Sequence, residues 1–289
     1  MSRDKVTPYH FIKLKKEGSK IVMVTAYEYI HAKLADEAGV EGILVGDSLG
    51  MVVMGYRSTL PVTFQDVAHH LKAVVSAAPR ALVVADMPFL TYEISREEAV
   101  RNAGKYIKMG ADAVKVEGGV EVIDKVEAMV KAGIPVMGHV GLNPQRYLVL
   151  GMRVRGKTAE DGVKVYEDSK ALEDAGVFSI VIEFTTSEVA AEVTKALKVP
   201  TICIGAGPHC DGQILVFHDL VGLNTSPPPF VKKYTEGYEV FKAALKSYAD
   251  EVRSGYFPAE RHYFRMPSDE LSKLLDVLNK KRSISKSTP

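Results

Sequence analysis

The 289-residue chain predicts a single α/β architecture, a (β/α)8 TIM barrel. Three observations carry that reading. Short apolar, β-branched runs alternate with longer amphipathic segments. Most runs lack period-two alternation, which marks strands buried on both faces of a parallel sheet. A helix–glycine–strand junction also recurs, at Ala38-Gly39-Val40, Met109-Gly110-Ala111, Ala132-Gly133-Ile134 and Ala175-Gly176-Val177. Glycine there can take the left-handed conformation that ends a helix.

The expected strands are Ile21–Thr25, Gly42–Gly46, Ala81–Ala85, Ala113–Val116, Pro135–Gly138, Ser179–Ile182 and Thr201–Ile204, with an eighth in Gly212–His218. Eight βα units in about 250 residues fit a closed barrel. A doubly wound open sheet is the alternative, lowered because no G-x-G-x-x-G follows the first strand. Ser95-Arg96-Glu97-Glu98 reads as a capping box, and helices also open at Thr63-Phe64-Gln65-Asp66 and Thr158-Ala159-Glu160-Asp161. Met51–Pro61 and Gly141–Lys157 are long insertions after strands, placed as active-site loops.

Composition excludes several classes. Lys plus Arg is 37 and Asp plus Glu is 36, so no basic excess exists for a nucleic acid. No stretch reaches the roughly 18 apolar residues of a membrane helix. Residues 1–20 lack a signal-peptide pattern, which predicts a cytoplasmic protein. The two cysteines, Cys203 and Cys210, are too few for a disulfide framework and are expected to stay reduced, with Cys203 in the core.

The chemistry collects where strands end. Asp47-Ser48, Asp86, Lys115 with Glu117, His139 and Glu183 terminate five consecutive expected strands. In a parallel barrel these ends meet at one face, the face that carries catalysis. Helix caps and strand terminators explain any one of them, but not the set. Asp47, Asp86 and Glu117 supply hard oxygen donors suited to Mg²⁺. A carboxylate network satisfied by backbone amides and Lys115 is the competing account. Lys115 shares a strand face with Glu117, and either holds a substrate carboxylate or pairs with a neighbouring acid. His139 either orients a substrate oxygen or is a core histidine. Glu183 lies among apolar residues, where desolvation raises a carboxyl pKa and suits a general base. No local partner for it is evident.

These residues carry a family resemblance. Val45-Gly46-Asp47-Ser48-Leu49-Gly50 followed by Ser58-Thr59-Leu60-Pro61-Val62-Thr63 resembles ketopantoate hydroxymethyltransferases. So do Ala85-Asp86-Met87-Pro88-Phe89, Val114-Lys115-Val116-Glu117-Gly118-Gly119, Gly138-His139-Val140-Gly141-Leu142 and the run from Gly205 to Gln213. The blocks span Thr7 to Phe264 in the family's order. Asn143, where the family often has Thr, and Pro229, where many members are basic, depart from it.

The resemblance implies a barrel of the phosphoenolpyruvate/pyruvate-binding type. It implies hydroxymethyl transfer from 5,10-methylenetetrahydrofolate, or a modified pterin, to the keto acid 3-methyl-2-oxobutanoate. It places Mg²⁺ on Asp47, Asp86 and Glu117, keto-acid contacts on Asp47, Ser48, Asp86 and Lys115 with His139 close by, and the general base on Glu183. It also implies a homo-oligomer, often a decamer. The barrel with its terminal helices is then expected over residues 1–264, and 265–289 as a partly disordered C-terminal extension. A C–C lyase or mutase on the same barrel is the runner-up, but its reactive-cysteine segment is missing. A non-catalytic keto-acid binder is the third reading, disfavoured by the intact acidic set.

Overall fold

The computed structural model describes residues 4–77 and 79–285. They fall into two compact units, divided between Thr235 and Glu236.

The first unit is a closed barrel of eight parallel strands in sequential order. They are β1 (Ile21–Thr25), β2 (Gly42–Val45), β3 (Leu82–Asp86), β4 (Ala113–Lys115), β5 (Val136–Gly141), β6 (Ser179–Glu183), β7 (Thr201–Ile204) and β8 (Gly212–Leu215). β8 pairs with β1 and closes the ring. The open-sheet alternative is excluded. The limits of β1 and β7 match the sequence expectation, and β3, β5 and β6 each run past it at the C-terminal end.

Side-chain alternation divides the barrel into two apolar layers. Leu82, Val84, Ala113, Met137, Val181, Ile202 and Ile214 form the interior cluster. Val83, Ala85, Val114, Val136, Ile180 and Ile182 belong to the layer between strands and helices. Phe11, from the helix Pro8–Lys16, joins the interior cluster and meets Phe178 edge-on with centroids 5.9 Å apart. The period of two then dictates what stands above this apolar floor. Asp86 follows Val84, Lys115 and Glu117 follow Ala113, His139 follows Met137, and Glu183 follows Val181.

Local signals explain the connections. Gly39, Gly110, Gly133 and Gly176 all have positive φ, at 87°, 103°, 83° and 95°. Thr63 and Asp66 complete a reciprocal capping box. Ser95 accepts from the Glu98 N–H, the half of its box that forms. Thr158 accepts from the Asp161 N–H, while the Asp161 carboxylate is drawn to Arg155 and to the Gly156 N–H.

Gly141 has a different reason. Its φ is 89°, and a Cβ there would lie 2.3 Å from the Glu183 carbonyl oxygen. Only glycine lets the ends of β5 and β6 come this close. The Leu142 N–H donates to that same carbonyl at 2.9 Å, which anchors the backbone of Glu183.

The cysteine expectation is corrected. Cys203 is fully buried, as expected, but it is bonded to Cys210 in a disulfide with Cα atoms 5.7 Å apart. A count of two rules out a framework of several bridges, yet one bridge closing a short loop needs only two. The chain reverses through Gly205 and Gly207, both at positive φ, and brings Cys210 back beside β7.

The second unit carries the helices Gly237–Ser254 and Ser268–Ser285. Phe241, Leu245, Tyr248 and Val252 are spaced four, three and four residues apart along the first, and all are exposed. The extension expected to be partly disordered over 265–289 contains the helix Ser268–Ser285, and residues 286–289 lie outside the described residues. Among the described residues no helix is long and apolar enough to cross a membrane.

Candidate active site

The residues singled out from the sequence meet in one place. Asp47, Ser48, Asp86, Lys115, Glu117, His139 and Glu183 all line a cavity of about 340 Å³ at the C-terminal ends of the strands. Both long insertions contribute to it, through Met51 and Thr59 and through Pro144 and Met152.

Lys115 is the hub. Its Nζ lies 2.9 Å from Asp86 Oδ1, 3.3 Å from Glu117 Oε1 and 3.2 Å from His139 Nδ1. Asp86 and Lys115 are register partners on β3 and β4, which explains the contact. All four side chains are buried. Burial opposes the charge on Lys115, but Asp86, Glu117 and Asp47 outweigh it and raise its pKa, so it is a permanent cation.

Glu117 is its counterpart. Burial opposes ionisation, yet Lys115 and His139 hold the carboxyl down to about 2. Burial and Lys115 disfavour a charged His139, while Glu117 and Glu183 raise it to about 9. Its Nδ1 faces Glu117 Oε1 at 3.3 Å, and its Nε2 lies 3.2 Å from Glu183 Oε2. Glu183 therefore has the partner that its local sequence lacks. With its side chain 20% exposed, it remains open to the cavity.

Asp47 and Asp86 behave differently. The Asp47 N–H donates to Asp86 Oδ2 at 3.1 Å, which brings the two residues together. Burial, with repulsion from Asp86 and Glu117, pushes the Asp47 carboxyl well up. Burial also raises Asp86, against the pull of Lys115. One lysine does not neutralise this group. Asp86 Oδ1, although close to Lys115, has no aligned hydrogen bond. Such a pair of under-neutralised hard oxygen donors fits a divalent cation like Mg²⁺, which takes one or two carboxylates and completes its shell with water and substrate. Among the described residues no three His, Cys, Asp or Glu groups converge as a ready metal cluster. Glu117 is held instead by Lys115, His139 and the Gln145 N–H, which donates to Oε2 at 3.1 Å.

Four cavity or support residues escape the sequence reading. Gln145 Nε2 donates to Asp47 Oδ2 at 2.8 Å and to the Met87 carbonyl at 3.0 Å. Tyr92 donates from its hydroxyl to the Glu117 carbonyl at 2.8 Å and lies 3.0 Å from Gln145 Oε1. The Tyr27 hydroxyl shares a 2.8 Å hydrogen bond with Ser48 Oγ. Asp219, buried beyond β8, also lines the cavity. Gln145 sits in an insertion already expected at the site, which is the signal that pointed to it. Nothing local marks Tyr92, Tyr27 or Asp219.

Comparison with known proteins follows the same line. A family model described as ketopantoate hydroxymethyltransferase matches residues 5–260. A 3-methyl-2-oxobutanoate hydroxymethyltransferase of Hyperthermus butylicus is 55% identical over 96% of each chain. One of Ignicoccus hospitalis is 60% identical over 90% of this chain and 99% of its own. Among solved structures, phosphonopyruvate hydrolase in complex with oxalate and Mg²⁺ aligns with a TM-score of 0.60 at 17% identity, covering 97% and 99% of the two chains. A 2,3-dimethylmalate lyase of the PEP mutase/isocitrate lyase superfamily aligns at 0.57 and 16%, covering 97% and 98%. These likenesses show the barrel fold. The family match over most of the length is decisive where the fold is not: the chain belongs to the ketopantoate hydroxymethyltransferase family and is a hydroxymethyltransferase.

Proposed function

We propose that this chain transfers a hydroxymethyl group from 5,10-methylenetetrahydrofolate, or a modified pterin analogue, to 3-methyl-2-oxobutanoate. The product is 2-dehydropantoate, the first step toward pantothenate and coenzyme A. The observation that carries the reading is one cavity that combines the buried Lys115 ammonium, the under-neutralised Asp47–Asp86 pair and the half-buried Glu183.

The keto acid is an anion, and Lys115 is the fixed positive charge that meets its carboxylate, with Ser48 placed to donate a hydrogen bond. Asp47 and Asp86 would hold Mg²⁺, which when bound supplies Lewis-acid polarisation of the 2-oxo carbonyl. Glu183 takes the proton from C3, and the neighbouring His139 keeps its carboxylate oriented. Lys115 and His139 both face the negative charge that develops as the enolate forms, without reorganising. The C3 carbon then attacks the methylene carbon of the donor. In the balance, one C–C bond forms and the two C–N bonds of the methylene break. Water supplies the hydroxyl oxygen, and the C3 proton and one water proton end on the donor nitrogens.

The test is deuterium exchange at C3 of 3-methyl-2-oxobutanoate with Mg²⁺ and no one-carbon donor. Glu183→Gln should slow exchange by about 10²- to 10⁴-fold while keto-acid binding is retained. Wild-type exchange in that variant would defeat the assignment. We extend the reading to a cytoplasmic homo-oligomer, a decamer in the family's pattern. The exposed apolar stripe of Phe241, Leu245, Tyr248 and Val252 supports self-association, and a monomer in sedimentation velocity would refute it.

A further inference from the structure

The cavity has two unlike halves. The half built by β2–β6 holds the charged cluster, and it accommodates a small 2-oxo acid. The half built by β7, β8, β1 and residues 216–230 is apolar, walled by Ile204, Ile214, Val216, Pro227, Pro228 and Phe230. A keto acid of eight non-hydrogen atoms, tethered by its carboxylate to Lys115, does not need this wall. Phe230 also packs on Phe184 with ring centroids 5.6 Å apart, so the wall runs up to the residue beside Glu183.

Within the apolar half stands one carboxylate, Asp219, 4% exposed. Asn224 Nδ2 donates to its Oδ1 at 2.7 Å, and Asn224 is itself pinned by the Ser226 N–H, which donates to its Oδ1 at 3.0 Å. Among the described residues no donor reaches Asp219 Oδ2. Among the described residues no ion pair forms with the carboxylate, and the anionic keto acid would be repelled by it. Burial raises its pKa, with Asn224 opposing. A carboxylate held in an apolar slot is built to accept hydrogen bonds from a neutral, planar ligand that presents adjacent N–H donors.

We propose that Asp219, positioned by Asn224, recognises the 2-amino-4-oxopyrimidine edge of the donor's pterin ring, accepting from its N3–H and 2-amino group. The ring lies against the Pro228–Phe230 wall, with its one-carbon unit toward Glu183. The inference rests on the proposed reaction and deepens it. It holds for folate and for a modified pterin alike, because both carry this edge.

The test uses full-length enzyme with Mg²⁺ and the isosteric variant Asp219→Asn, which keeps the bond to Asn224. The KM for 5,10-methylenetetrahydrofolate should rise by about 10- to 100-fold, the value of a charge-assisted hydrogen bond. The KM for the keto acid and the rate of donor-free C3 deuterium exchange should stay within about twofold, which a folding defect would not allow. A 2-desamino-2-methyl analogue of the donor should lose a similar factor on the wild type and lose little more on the variant. An unchanged donor KM, or a fall in exchange parallel to that in transfer, overturns the proposal. Absence of exchange and transfer in the wild type would instead overturn the proposed reaction. Calorimetric titration with tetrahydrofolate then decides Asp219 separately: binding weakened only in the variant sustains it, and binding absent or equal in both defeats it.

Discussion

Replacing Lys115 with methionine tests the electrostatic centre of the site. The side chain is 4% exposed and its ammonium lies within 3.3 Å of both Asp86 and Glu117. Burial works against the Glu117 charge, yet Lys115 and His139 lower its pKa from the ordinary 4.5 to about 2. At 1.36 kcal/mol per unit, that shift is worth about 3 kcal/mol at neutral pH. Leaving buried carboxylates without their cation costs about 3–5 kcal/mol by comparison with other broken buried pairs, a large share of the ~5–15 kcal/mol that holds a typical domain folded. The sign gives a second check. A carboxyl with a depressed folded pKa contributes stability above its unfolded value, and that stability is lost as pH falls from 4.5 toward 2. Lys115→Met should therefore be much less stable than wild type at pH 7, and the deficit should shrink below pH 4.5. Guanidinium denaturation at pH 7 and pH 3 measures both. Equal midpoints at pH 7, or a deficit that does not narrow in acid, would refute the reasoning.

Two further variants probe charge elsewhere. Asp47→Asn removes a buried carboxyl whose ionisation is opposed by burial and by Asp86 and Glu117. At neutral pH it should raise metal-free stability by about 1–3 kcal/mol and abolish the thermal shift produced by MgCl₂, as read by differential scanning fluorimetry. A retained shift would count against Asp47 as a metal-holding residue. His31 is lowered by burial to about 4 and stacks on Phe217 at 3.9 Å. Its folded pKa lies below the ordinary 6.5, so its contribution is present above pH 6.5 and lost toward pH 4, about 3 kcal/mol at most. His31→Phe keeps the stack and should give a shallower fall of melting temperature between pH 6.5 and 4.5. Parallel curves would contradict this.

The sequence alone determined the barrel and the strand ends. Apolar β-branched runs specify buried parallel strands, and the side-chain period of two carries each pattern upward to Asp86, Lys115, Glu117, His139 and Glu183. Helix stops at Gly39, Gly110, Gly133 and Gly176 are equally local, since a positive φ is a property of one residue. What the sequence left open was how those charges are spent. Lys115 was read as a substrate anchor or an ion-pair partner, and the closed barrel makes it the hub of Asp86, Glu117 and His139. His139 was read as a ligand or a core residue, and strand pairing sets it between Glu117 and Glu183. Glu183 had no visible partner because that partner lies 44 positions earlier on β5. Gln145 and Asp219 reach the site from short helical turns and Tyr92 from a loop, and the Cys203–Cys210 pair depends on a chain reversal. These contacts arise only once eight strands close and bring distant segments within a few ångströms, which local propensity and periodicity do not encode.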